Sequence, residues 1–188
     1  MMSMVAFLDA CVLYPSNLRD VILTMAEAGL FQIRWSPDVL EEMERNLMKA
    51  GKAGLNLRDV MESAFPDAMV FQNEYLQLID DMPNHRKDRH VLAAAIATNA
   101  DVLVTANLKD FKPLPGNCEV EVQHPSDFLC SVLDGFASEV FDTLSNLALR
   151  RREPMNSVPA ILNSLHKTVP NFVMQAFDAL PTFTEHDL

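Results

Sequence analysis

Cysteine is scarce and poorly placed for cross-linking. The three residues Cys11, Cys118 and Cys130 are odd in number and far apart, with no CxxC or Cys/His spacing, which argues against a disulfide framework or a zinc site. They are expected to be reduced and mostly buried. Long apolar runs are also missing. The longest nearly uncharged stretch, residues 91–100, is broken by Thr98 and Asn99 and ends at Asp101, well short of the ~20 residues of a membrane helix. The first nine residues contain no Lys or Arg and reach an acid at Asp9, unlike an ordinary secretory signal, so the cytoplasm is the expected location and no membrane partner is expected. Positive charge is the third shortage: 15 Lys and Arg stand against 26 Asp and Glu, a net charge of −11. Such a surface repels a polyanion unless bases are concentrated locally or a divalent cation intervenes, which excludes a protein that coats duplex nucleic acid.

What remains is an ordinary folding chain. Hydrophobic residues make up 49% and charged residues 22% of 188, close to globular averages, and the length suits one full domain plus an appendage. There is no internal repeat and no low-complexity tract. Val5-Ala6-Phe7-Leu8 reads as a buried strand ending at Asp9, followed by a helix that stops at Gly29 and a second strand over residues 31–35. Ser36-Pro37 is an N-cap with proline at the first helical position, and Val39, Leu40, Met43 and Leu47 form the buried stripe of the next helix. A less regular helix over 57–64, a very short strand at Val70-Phe71 and a short helix over 75–81 come next.

Asp88, Val91, Leu92, Ala95 and Ile96 share one helical face, and residues 101–105 form an apolar strand that reads as parallel. Residues 119–122 make a plausible edge strand, and a helix opens at His124-Pro125. Gly135 marks the expected boundary between domain 1–134 and a helical C-terminal extension 135–188, whose phenylalanines, Phe136, Phe141, Phe172, Phe177 and Phe183, with Phe128 just before it, supply large apolar groups.

Carboxylates carry the chemistry. Asp9 closes the first strand, where open parallel sheets place ligands, although an acid there can also simply cap a loop. Asp88 heads a helix, which the macrodipole favours, yet it aligns with the apolar stripe, where a carboxylate pays desolvation unless paired or bound to a cation. At about 100° per residue, Glu42 and Glu44 fall on opposite flanks of their helix's stripe, and the wheel does not choose between them. Asn107 and Asp110, after the third long strand, are further candidates.

Phe7-Leu8-Asp9, Ser36-Pro37-Asp38-Val39-Leu40-Glu41-Glu42-Met43, Asp88-Arg89-His90-Val91-Leu92-Ala93-Ala94-Ala95 and Leu103-Val104-Thr105-Ala106-Asn107 resemble, in order and spacing, the PIN domain of metal-dependent ribonucleases, and the VapC-like bacterial toxins among them. The resemblance covers about residues 4–133. It implies an α/β, PIN-like three-layer sandwich with a central, mostly parallel sheet of four or five strands. It also implies a metal-dependent endoribonuclease, the toxin of a type II toxin–antitoxin system.

Carried over by position, the acids are Asp9, Glu42 in the Ser-x5-Glu spacing, and Asp88, expected to hold Mg2+ or Mn2+. The fourth position, usually Asp, falls on Asn107, with Asp110 as a possible fourth ligand. Clustered carboxylates on a hard cation suit phosphodiester hydrolysis. The bases expected to position single-stranded or structured RNA are Arg19, Arg86, Lys87, Arg89 and Lys109, together with Thr105. A cognate antitoxin and a second copy of the chain are the other partners considered.

A haloacid-dehalogenase-like phosphatase needs a second Asp where Cys11 stands, and a receiver domain needs paired acids near the first strand, so both fit poorly. The stronger rival is a PIN-fold module that binds RNA or a protein without cleaving, because Asn107 removes one charge.

Overall fold

The computed structural model describes residues 4–52 and 56–180 of the chain; Phe183 lies outside them. Four strands, β1 (Val5–Leu8), β2 (Gln32–Arg34), β3 (Val102–Val104) and β4 (Glu121–Gln123), form one sheet in the order β2-β1-β3-β4, every pair parallel. Ala6 pairs with Ile33 on one side and Val102 on the other, so β1 and β3 are central. That position explains their composition: Ala6, Phe7, Leu8, Leu103 and Val104 have no solvent exposure, and a strand covered on both faces needs a continuous apolar run. The strand expected at Val70-Phe71 is reduced to a single bridge between Trp35 and Met69. The edge strand begins two residues later than the sequence suggests.

Two compact units partition the described chain. The first takes its residues from 1–19 and 31–125, the second from 20–30 and 126–188. The Gly135 boundary expected from sequence falls inside the second.

In the first unit, α1 (Ala10–Leu13) follows β1 directly, and α3 (Pro37–Lys49) packs against α1 and α6 (Arg89–Ala97). Between them lie α4 (Leu57–Ala64), α5 (Gln72–Tyr75) and two 3-10 turns, Leu76–Asp81 and Arg86–Asp88. Another 3-10 turn, Leu108–Phe111, follows β3. α2 (Ser16–Glu27) begins in the first unit and ends in the second.

The second unit is helical: α7 (Pro125–Gly135), α8 (Ala137–Leu149), α9 (Val158–Leu165) and α10 (Pro170–Ala179), with α9 packed on α8 and α10. Phe128 and Phe172 are fully buried there, while Phe136 stays 44% exposed. Ser126 Oγ accepts from the N–H groups of Asn171 and Phe172 at 3.1 and 3.2 Å, satisfying two donors at the start of α10 that have no helical partner. No helix among the described residues is long and apolar enough to cross a membrane.

Candidate active site

Asp9 sits where β1 runs out. Its N–H extends the ladder to Val104 O at 3.1 Å, and its extended backbone (φ −78°, ψ 156°) makes it the N-cap of α1. One carboxylate oxygen, Oδ1, accepts from the Ala10 N–H at 2.7 Å. The other, Oδ2, accepts from Thr105 Oγ1 at 2.7 Å and from Cys11 Sγ at 3.1 Å. Both donors are themselves held by the loop after β3: the Asn107 N–H donates to Thr105 Oγ1 at 3.1 Å, and the Ala106 N–H to Cys11 Sγ at 3.2 Å.

Asp9 is only 4% exposed, and these three donors offset the cost of burying its charge. Burial, then the charge of Asp9, pushes the Cys11 thiol up to about 12, so at neutral pH it is an S–H donor and not a thiolate.

Glu42 arrives on α3. Ser36 Oγ accepts from the Val39 N–H at 3.3 Å to cap that helix, and the fully buried Val39, Leu40 and Met43 fix its rotation. Glu42 is then half-buried on the flank that feels Asp9 and Asp88, whereas Glu44 lies 3.9 Å from Arg58 Nη1. The alternative left open by the helical wheel is thereby resolved toward Glu42. Its pKa is raised by burial first, then by Asp9, with Asp88 adding to the effect and His90 and Arg45 opposing it.

Asp88 ends the Arg86–Asp88 turn and is the N-cap of α6, without a side-chain capping bond. Its Oδ2 is 3.3 Å from His85 Nδ1. Burial raises its pKa most, followed by Asp9 and Asp110, while His85 lowers it.

The fourth corner is divided between two residues. Asn107 is exposed and its backbone N–H is spent on Thr105. Asp110 brings charge to bear on Asp88, and its carbonyl accepts from the His85 N–H at 3.0 Å and from Asn84 Nδ2 at 3.3 Å. The loop after β3 and the segment leading into α6 are thus joined through Asp110.

Asp9, Glu42, Asp88 and Asp110 offer carboxylate oxygens, the type preferred by hard divalent cations, and Asp9 opposes the ionisation of Glu42 and Asp88, the situation a bound cation relieves. In donor chemistry the residues fit Mg2+ or Mn2+. Among the described residues, no group of three or more His, Cys, Asp or Glu side chains already stands in position to hold an ion.

Residues 5–109 match the family model described as "PIN domain". The chain belongs to the PIN domain family. A Mycobacterium tuberculosis protein named "Putative ribonuclease VapC50" is 35% identical over 118 residues, 60% of this chain and 68% of its own length. No solved structure matches.

Within this PIN domain the bases expected to meet substrate are dispersed. Arg19 is buried at 8% exposure, and its Nη1 donates to Leu13 O at 2.8 Å and Tyr14 O at 3.5 Å, so it ties the α1–α2 turn where a substrate-facing base was expected. Thr105 is fully buried and holds Asp9. Arg89 Nε donates to Asn84 O at 3.3 Å, bracing the segment before α6. Arg86, Lys87 and Lys109 are exposed, and Lys87 lines a groove of about 490 Å³ that also contains Glu42 and Asp88.

Two features of the site are not evident from sequence. Cys11 has the look of a core thiol, and nothing local marks it as a partner of Asp9. Arg45 and Lys49, which line the same groove, were recoverable, because they stand three and seven residues after Glu42 on α3.

Proposed function

We propose that this protein is a divalent-metal-dependent endoribonuclease that hydrolyses RNA phosphodiester bonds, the toxin of a type II toxin–antitoxin pair. One observation carries the catalytic reading: Asp9, half-buried Glu42 and half-buried Asp88 act on one another electrostatically at the carboxyl end of a parallel sheet. The ribonuclease name of the Mycobacterium tuberculosis relative supports the same reaction class. The toxin role, with a cognate antitoxin as partner, rests on the likeness to VapC-like proteins. Self-association belongs to the same proposal.

In this reading Asp9, Glu42 and Asp88 hold Mg2+ or Mn2+, with Asp110 as the fourth acid. With the cation bound, the chemistry available is neutralisation of phosphate charge and acidification of water. The chain supplies orientation and proton handling. Thr105 and Cys11 fix the Asp9 carboxylate from one side, and the Ala10 N–H fixes it from the other. Glu42, whose ionisation is opposed by burial and by Asp9, is suited to take a proton from the attacking water at its carboxylate. Hydrolysis then forms a bond from water oxygen to phosphorus and breaks the bond to the leaving ribose oxygen, which takes a proton from solvent water as Glu42 returns its own to solvent.

The test is cleavage of a labelled RNA with Mn2+ or Mg2+ and with excess chelator. Activity that needs the metal upholds the proposal. The second reading, a binding module without cleavage, is favoured by Asn107 at the fourth position. Metal-independent RNA binding with no product at millimolar Mn2+ would replace the nuclease with that module.

A further inference from the structure

The groove that contains Glu42 and Asp88 continues beyond them along α3. Asp38, Glu42, Arg45, Asn46 and Lys49 line it, a spacing of three and four residues that keeps them on one face over roughly 16 Å of helix. Lys87, from the Arg86–Asp88 turn, lines it too.

Charge is ordered along this face. At the N-terminal end the Asp38 carboxylate is already engaged, accepting from Tyr75 Oη and, at 3.1 Å, from Gln72 Nε2. In the middle lie Glu42 and Asp88, with Glu41, which also lines the groove, beside them. Toward the C-terminal end only cations and one amide remain: Lys49 and Lys87 have no acidic partner among the described residues. Arg45 is paired with Glu41 at 3.3 Å, with side chains 56% and 66% exposed. An ion pair that exposed is weak and is readily exchanged for a phosphate.

A charged helix face is commonly just a solvated surface, and Lys49 also complements the dipole of its own helix. Two facts distinguish this face from that ordinary case. The cations come from two separate elements, α3 and the turn before α6, and they line the same groove as two of the acids that would hold the cation. A chain with net charge −11 needs some such local concentration of bases to retain a polyanion at all.

We propose that the C-terminal half of α3, through Arg45, Asn46 and Lys49, together with Lys87 in the same groove, is the track for the backbone of a single-stranded RNA on one side of the cleaved phosphodiester. The assignment rests on the nuclease reading and adds to it the path and strandedness of the substrate. Arg45, Lys49 and Lys87 meet phosphates, and Asn46 offers an amide to a sugar or base edge. A space of about 490 Å³ is of small-ligand size and matches a nucleotide or two of a single strand lying along it.

The experiment uses the full chain and one fluorescent single-stranded RNA oligonucleotide, followed by cleavage kinetics with Mn2+ and by anisotropy in chelator, each across a salt series. Arg45→Gln, Lys49→Gln and Lys87→Gln should each raise KM about fivefold while kcat changes less than about twofold, and Lys49→Arg should restore KM. The triple variant should flatten the salt dependence by about two in log–log slope, given roughly 0.7 per phosphate contact on a single strand. Arg150→Gln, on the helical unit, is the control and should leave KM and slope unchanged.

KM and slope equal to wild type in the triple variant, or losses matched by Arg150→Gln, overturn the track. A duplex of the same sequence that binds as tightly and loses as much in the triple variant overturns the single-strand assignment. If the wild-type chain cleaves nothing, the nuclease reading fails alone. The anisotropy slopes then decide the track: a loss in the triple variant upholds it, and no loss overturns it.

Discussion

In the helical unit, Asp20 meets the Arg151 guanidinium, Glu27 has Arg150 at 3.8 Å, and Asp134 accepts from Gln175. In the sheet-bearing unit, Glu42 and Asp88 make no salt bridge to an arginine or lysine among the described residues, and burial and the charge of Asp9 raise the pKa of both more than His90 and Arg45, or His85, lower it. The contrast separates two uses of the same side chain. Acids that brace a helix bundle are neutralised by neighbours at little net gain or cost. Acids left half-buried beside another carboxylate, as Glu42 and Asp88 are beside Asp9, lower the stability of the apo fold, and a chain retains such an arrangement when something else completes it.

The strongest way to break this comparison is to remove one crowded charge. Asp9→Asn or Asp88→Asn should lower RNA cleavage by about 100-fold or more, measured as kcat/KM at saturating Mn2+. Their stabilities should diverge. Asp88→Asn relieves repulsion and should leave the chelator-treated protein at least as stable. Asp9→Asn turns an amide N–H toward one of the donors that now reach its oxygens and should lose about 1–2 kcal/mol in denaturant unfolding. Turnover unchanged in either variant would remove the catalytic role.

Adding charge should sharpen the contrast. Asn107→Asp is expected to tighten Mn2+ binding by roughly tenfold in calorimetry and to raise cleavage at limiting metal, with less effect at saturation. Asp110→Ala is the companion: if it abolishes binding while Asn107→Asp changes nothing, Asp110 alone supplies the fourth acid.

A smaller effect lies in pH. Folded Glu42 and Asp88 have raised pKa values, so the stability linked to them is fully present below the unfolded carboxyl value of about 4 and is lost as pH rises through the higher folded values. Metal-free wild type should therefore lose melting temperature relative to Glu42→Gln between acidic and neutral pH. A constant difference between the two curves would count against the crowding. The smallest effect belongs to the paired acids: Arg151→Ala should cost at most about 1 kcal/mol and leave cleavage intact.

Much of the sheet and most helices were legible in the sequence. The Ser36-Pro37 cap, the apolar runs at Val5–Leu8 and Val102–Val104, and the face shared by Asp88 and Val91 each carry a strong local signal. The short α1 was not legible, because Ala10–Leu13 is a single turn whose start depends on Asp9 capping it, and one turn has no periodicity to read. Nor was the fate of Arg19, since only the fold brings Leu13 and Tyr14 carbonyls to its guanidinium. Asp9 and Asp88 stood out by position, while the choice of Glu42 over Glu44 needed the packing of α3 on α1 and α6. The discontinuous second unit, which takes residues 20–30 from the middle of the sheet-forming sequence, has no contiguous signature at all.

The Cys11 thiol, held between the Ala106 N–H and the Asp9 carboxylate, also makes a natural spectroscopic reporter. An S–H stretch absorbs in an infrared window that other protein groups leave empty, and its frequency falls as its hydrogen bond strengthens. Because the proton stays on sulfur at neutral pH, alkylating reagents should leave this position intact while they modify more reactive thiols. The band would then report the charge borne by Asp9 directly, shifting upward whenever a cation draws that carboxylate's electron density away from the thiol.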